Sequence, residues 1–499
     1  MSQPPSSPAN SFFGHPAGLQ TLFMTEMWER MSYYGMRALL VLFMTTAMME
    51  GGLELSVASA TAIYGLYTGA VYFMGLPGGW IADRLIGSQK AVWYGGVIIM
   101  CGHIVLAIPD HSTFFIGLIL VVLGTGLLKP NITALVGQLY SKEDSRRDSG
   151  YTIYYMGINI GAFIGYGVTG ALAEGVGWHW GFGAAAVGMA IGLIQYRITL
   201  HKLGESGSAP VTPMAPRSVQ VSWLVILAFL VVLTLTTAAA LTGWLVINPV
   251  SIATYVVAII TTVFFVYFFF LYFFSELNQD EKKRMYAILL ICFASACFWA
   301  GFEQAGSSLN LFGRDYTDRL IGSFEIPTTW FQSANSFFIL ILSPFFAALW
   351  VSLGKRMLDP SYAVKSAFGL IIMASGFLVM FAAAHVVASG MKAAPYWLIM
   401  TYFLHTVGEL LLSPVALSAV SKLSPARLSG QMMGLFVLTY SIGSVIAGLF
   451  AGHFDPEKLD QMPGLFMQIA LFAGGAGVLV FIIGLKTRAW EKLAEKRPS

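Results

Sequence analysis

Near the start of the chain, Glu26-Met27-Trp28-Glu29-Arg30-Met31-Ser32-Tyr33-Tyr34-Gly35-Met36-Arg37 puts four charged side chains inside the first strongly apolar segment. At about 100° per helical residue, Glu26, Glu29, Arg30, Tyr33, Tyr34 and Arg37 share one face. A charge at mid-bilayer costs roughly 2.5–3.5 kcal/mol on insertion scales, so such side chains meet a partner or a wet cavity rather than lipid. One helix therefore offers two acids, two bases and two phenols to an interior, the means for ion pairing and proton exchange.

Three further apolar segments hold a charge. Gly124-Thr125-Gly126-Leu127-Leu128-Lys129-Pro130-Asn131 sets a lysine deep in a span. No strand precedes these glycines, so they are not a nucleotide loop. A buried lysine is either deprotonated or paired with a carboxylate, and Phe298-Trp299-Ala300-Gly301-Phe302-Glu303-Gln304 supplies a candidate in Glu303. The pair reads either as a static structural bridge or as a switchable one. Gly408-Glu409-Leu410-Leu411-Leu412-Ser413-Pro414 carries an acid with no local cation and only His405 one turn away. Glu409 suits a proton site or a ligand's amine, or else a protonated polar packing residue. Asn159 and Asn335 can each donate and accept, toward a polar ligand or between helices.

These residues need elements to hold them, and composition says which. Of 499 residues 57% are hydrophobic and 11% charged, and the mean hydropathy is +0.71. Soluble proteins carry about 25% charged residues, so the chain is an integral membrane protein. The net charge of +3 and scattered basic residues argue against a nucleic-acid partner. Cys101, Cys292 and Cys297 sit in apolar segments and read as packing residues.

Runs able to cross a bilayer of about 30 Å lie near 20–48, 58–81, 89–109, 113–139, 150–173, 178–200, 221–244, 249–274, 284–311, 328–352, 362–388, 394–421, 427–452 and 462–485. Basic residues mark alternate loops: Arg84 and Lys90; Lys142, Arg146 and Arg147; Lys202 and Arg217; Lys282, Lys283 and Arg284; Lys355 and Arg356; Lys422 and Arg427; Lys486 and Arg488. By the positive-inside rule both termini are cytoplasmic. The expected fold class is an all-α membrane protein of two six-helix bundles with two extra helices between them, about fourteen spans. The expected divisions are a cytoplasmic tail 1–18, a bundle 19–200, a linker with the extra pair 201–283, a second bundle 284–485 and a tail 486–499. The extra pair has no Asp, Glu, Lys or Arg between 218 and 275, which suits a lipid-facing insertion. The intramembrane charges begin each of four successive helix triplets, and transporters of repeated three-helix units place such helices around a midplane site. Six plus six spans with a charged seam resembles the major facilitator superfamily, and Gly78-Gly79-Trp80-Ile81-Ala82-Asp83-Arg84-Leu85-Ile86-Gly87 resembles its gating loop, with Asp83 and Arg84 as the gate pair.

Glu26-x-x-Glu29-Arg30, the Gly79–Lys90 stretch, Lys129-Pro130-Asn131, Tyr154-Tyr155-Met156-Gly157-Ile158-Asn159-Ile160-Gly161 and Gly408-Glu409-Leu410 together resemble the proton-coupled oligopeptide transporters of bacterial type. That resemblance implies a symporter of di- and tripeptides in the cell inner membrane. It implies that Glu26, Glu29, Arg30, Lys129 and Glu303 couple protons, with Glu303 bonding Lys129 when ionised. Arg30, Arg37 and Lys129 would receive a peptide carboxylate, and Glu409, Asn335 and Asn159 the amino end. Tyr33, Tyr34 and Tyr72 would line the pocket and Trp299 would wall it. Three departures stand out: Met31 follows the Glu29-Arg30 pair where the family has Phe, Phe436 replaces a usual tryptophan, and Gly65 stands where animal relatives carry a histidine.

Two rival readings remain. A transporter of nitrate, a drug or another small anion would use Arg30, Arg37 and Lys129 but would have little use for Glu409. A membrane-embedded peptidase would need paired Asp, H-E-x-x-H or a Ser-Lys set, none of which occurs at intramembrane depth. No enzyme activity, metal site or cofactor is expected, only protons as coupling ion, and the chain is expected to act as a monomer.

Overall fold

The computed structural model describes residues 12–141, 144 and 146–491. Residues 1–11 of the expected leading tail, Lys142 of the second basic loop and residues 492–499 of the trailing tail lie outside the described residues.

Every expected apolar run is helical. The helices are α1 (Gly18–Thr45), α2 (Val57–Ile81), α3 (Ser88–Leu106), α4 (His111–Gln138), α5 (Arg147–Gly175), α6 (Trp178–Thr199), α7 (Pro216–Leu241), α8 (Pro249–Phe274), α9 (Gln279–Phe302), α10 (Ser308–Asp315), α11 (Trp330–Lys355), α12 (Tyr362–Ala388), α13 (Tyr396–Leu423), α14 (Ser429–Ala451) and α15 (Met462–Glu491). Among the described residues thirteen helical spans are long and apolar enough to cross a membrane, α9 and α10 counting as one. Helix α1 makes the fourteenth by length, 28 residues, although Glu26, Glu29, Arg30 and Arg37 make it less apolar than the others. The run expected at 284–311 is interrupted by a tight turn, Glu303–Gly306. Between α10 and α11, strands β1 (Leu320–Ile321) and β2 (Phe324–Glu325) form a small hairpin, and Arg319 pairs with Glu325 at 2.7 Å.

By packing, the chain falls into two units that do not follow sequence order: Met1–Leu39 with Phe73–Ile247, and Leu40–Tyr72 with Asn248–Ser499. The end of α1 and most of α2 group with the second unit, because close-packed surfaces rather than chain order decide which segments touch.

In the first unit small residues set the spacing. A Cβ at Gly161 of α5 would lie 2.1 Å from the Met27 carbonyl oxygen, and one at Gly165 2.4 Å from that of Met31. Only glycine lets α5 approach the charged helix so closely, as membrane helices without a hydrophobic drive between them require. Prolines stand inside two helices that carry chemistry, Pro130 in α4 and Pro414 in α13, where each removes a backbone donor from the helix.

Helix α7 buries none of its residues. Helix α8 buries Ala253, Phe264, Phe268 and Leu271, with Ala253 packed beside Ala62 and Val445 of its own unit. An all-round apolar helix with little protein contact is a lipid-facing element, as the lack of charge in this pair led one to expect.

Candidate functional site

In the first unit the α1 stripe meets Lys129 of α4, one residue before Pro130. Glu26 and Glu29 are fully buried, and Arg30 and Arg37 nearly so. Arg30 donates its Nε and Nη2 to the two oxygens of Glu29, the second at 2.6 Å, and its Nε lies 3.4 Å from Glu26 Oε1. Lys129 Nζ donates to that same Glu26 oxygen. Two carboxylates and two cations thus form one continuous network, the arrangement that makes buried charge tolerable. The two phenols complete it. The Arg30 guanidinium carbon stands 4.7 Å from the Tyr33 ring centre and 5.7 Å from that of Tyr34, and that of Arg37 stands 5.0 Å from Tyr34. Aromatic faces attract cations without binding a proton.

Lys129 takes its acid from α1 of its own unit, while Glu303 accepts from Tyr64 Oη at 3.0 Å in the second unit. Sequence gives the depth of a charge in its helix but not the azimuth of its neighbours within a unit. Tyr154 also joins the site: its ring centre is 5.8 Å from Lys129 Nζ and its hydroxyl 3.2 Å from Thr133 Oγ1. Asn159 donates to the Tyr155 carbonyl at 3.1 Å, a bond within its own helix.

The second unit holds Glu303, Tyr72, Trp299, Asn335 and Glu409. The α9 helix ends at Glu303, where Gln304 Nε2 donates to the Ala300 and Ala447 carbonyls at 3.2 and 3.0 Å and Ser308 donates to Gln304 Oε1 at 2.6 Å. Those bonds satisfy the polar groups that the broken helix releases. A Cβ at Gly306 would lie 2.0 Å from Tyr64 Oη, so the glycine makes the room in which Tyr64 reaches Glu303. Tyr72 and Trp299 lie 6.1 Å apart, and Tyr440 bridges them at 5.4 and 4.8 Å. Phe436, at the position of the departed tryptophan, is buried against Tyr440 at 5.2 Å. On α11 and α13, Asn335 Nδ2 donates to Glu409 Oε2 and Thr406 Oγ1, both at 3.0 Å. His405 turns to α12 instead, its ring 4.6 Å from that of Phe377.

Asp83 and Arg84 lie exposed in one π-helical turn, Ala82–Ile86. Neither side chain has a hydrogen-bond or ion-pair partner among the described residues. The loop is tied by backbone and by Gln89, whose Nε2 donates to the Gly204 and Ser206 carbonyls at 2.9 and 2.8 Å.

Tyr64, Thr406 and Tyr440 are the residues that sequence reasoning missed. Each is an ordinary aromatic or hydroxyl in an apolar helix, although Tyr64 precedes Gly65 and Thr406 follows His405.

A family model described as the POT family matches residues 89–464. The chain belongs to the POT family. Its two six-helix bundles with an inserted pair are the major facilitator architecture that family shares. A peptide transporter of Yersinia enterocolitica is 41% identical over 490 residues, covering 95% of this POT-family chain and 96% of its own. A di-/tripeptide transporter of Lactococcus lactis is 38% identical over 451 residues, 87% of this chain and 89% of its own. A crystal structure of a POT peptide transporter in complex with sulfate has a TM-score of 0.89 and 39% identity over 97% of each chain. The POT family is one of transporters.

Proposed function

We propose that this protein imports di- and tripeptides together with protons across the cell inner membrane, as a monomer with both termini in the cytoplasm. The observation that carries the reading is the division of charge: cations with phenols on α1 and α4, and an acid with an amide on α11 and α13. A zwitterionic peptide presents the complementary pair. Arg30, Arg37 and Lys129 would hold its carboxylate, and Glu409 with Asn335 its ammonium. Tyr33, Tyr34, Tyr72 and Trp299 offer apolar faces that do not read side chains closely, which suits a substrate of variable sequence. The names of the Yersinia and Lactococcus relatives support the same substrate class.

Coupling would follow from the α1 network. With Glu29 ionised, Arg30 is spent on it. A proton on Glu29 removes one of the two charges facing the guanidinium and releases the fork for a carboxylate, to which it is matched in geometry. Lys129 and Glu26 form the second exchangeable pair. Glu303, bonded to Tyr64, is the proton-linked acid of the other unit. Peptide and proton bias the transport equilibrium only through such differences in affinity between states.

The test is dialanine uptake into proteoliposomes with an imposed inward proton gradient. Accumulation that a protonophore abolishes is the expected result. Intact vesicles that take up no di- or tripeptide would transfer the assignment to the small-anion or drug class, which the three cations alone would also serve.

A further inference from the structure

We infer that Thr406 is a positioning residue that fixes which way the Asn335 amide faces, and so sets the protein's preference for a ligand with a free amine. The inference rests on the peptide reading above, in which Asn335 and Glu409 receive the amino end.

An asparagine amide can turn by 180° and exchange its donor and acceptor ends at almost no change in shape. Here two neighbours decide between them. Thr406 is fully buried and its hydroxyl proton is committed to the Tyr402 carbonyl at 2.7 Å. Toward Asn335 that hydroxyl can therefore only accept. Glu409 Oε2 also stands as an acceptor toward the amide. Both lie 3.0 Å from Nδ2, so the amide's two hydrogens are used and the flipped form would set its oxygen against two oxygens. Asn335 Oδ1 is left without a hydrogen-bond partner among the described residues. The half-buried side chain thus presents an acceptor, beside a carboxylate, where a ligand's ammonium needs one. Without Thr406 the amide loses one of its two anchors and can present its NH₂ instead, which repels an ammonium and accommodates an acceptor.

The Thr406→Val variant keeps the shape and removes the acceptor. Uptake of labelled dialanine into proteoliposomes is measured in competition with unlabelled dialanine and with lactoyl-alanine, in which a hydroxyl replaces the amine. The expected result is a KM for dialanine raised about ten-fold, the scale of one hydrogen bond to a charged group, with kcat little changed. Preference for dialanine over lactoyl-alanine falls by a similar factor, and Thr406→Ser restores both. A packing role would raise both ligands' values in parallel, and that outcome, or an unchanged preference, overturns the inference. If Thr406→Val is not monodisperse in detergent, Thr406→Ala removes the same acceptor and the same preference ratio decides. Wild-type protein that takes up no dialanine would overturn the peptide reading itself; wild-type uptake with an unmoved ratio in the variant overturns only the role of Thr406.

Discussion

Arg30 grips the carboxylate of Glu29, its neighbour in sequence, through two of its nitrogens, with the Nη2 contact at 2.6 Å. Adjacent residues on a helix point about 100° apart, so the pair meets only because the guanidinium folds back along the α1 surface. The fork is a property of arginine, whose planar donors match two oxygens at once.

Glu29→Gln should therefore preserve peptide exchange between equal pools and lose accumulation driven by a proton gradient. Arg30→Lys keeps the charge but not the fork, and uptake should fall at least about ten-fold, equal to about 1.4 kcal/mol. Counterflow and gradient-driven uptake measured on the same vesicles separate the two effects.

The Lys129–Glu26 pair predicts a rescue. Lys129→Gln or Glu26→Gln alone leaves a buried charge short of its partner and should lower the unfolding temperature in detergent. The loss should stay below the roughly 3–5 kcal/mol of a fully buried pair, because the lysine side chain is 33% exposed. The double variant should unfold at a higher temperature than either single one while remaining inactive. Strictly additive losses would show that the two groups do not share an energy.

Glu303→Gln should retain exchange and lose concentrative uptake; normal accumulation by that variant would remove Glu303 from coupling. Gly306→Ala should disturb the same acid indirectly, since the added methyl meets Tyr64. Overpacking of this kind costs about 1–3 kcal/mol, read as a lower unfolding temperature. Tyr64→Leu, which clears the space, should recover stability without recovering transport.

At the α4–α5 turn, hydrogen bonds and the charge of Arg146 hold the Asp144 carboxyl down at about 2. Arg146 also donates to the Gly14 carbonyl at 3.0 Å. An acid depressed in the folded state contributes in full above its unfolded value and loses that contribution only as pH falls through the folded one. Hydrogen exchange at Gly14 and His15, corrected for intrinsic rate, should therefore not change through loss of this ion pair between about pH 5 and pH 8.

Much of this was legible in the sequence. Twenty apolar residues state a span without ambiguity, and Glu29-Arg30, Glu409 and Lys129 announce themselves by their cost in a membrane. What sequence withheld was azimuth. That Lys129 meets Glu26 of its own unit depends on how α4 rotates against α1, which sequence alone does not give. Tyr64 was invisible because an aromatic in an apolar run looks like packing until a missing Cβ at Gly306 opens space for its hydroxyl. His405, expected near Glu409, went to Phe377 because residues four apart share a face only broadly, and a ring has room to lean.

Helix α7 buries no residue, and that makes it a ruler rather than a message. Past its polar first turn its spelling is answerable to the thickness of the bilayer alone, so an anagram of the apolar residues 221–241, with Pro216, Arg217 and Gln220 left in place, should serve as well as the original. Substitutions there can accumulate unseen, while a change of length would be felt at once.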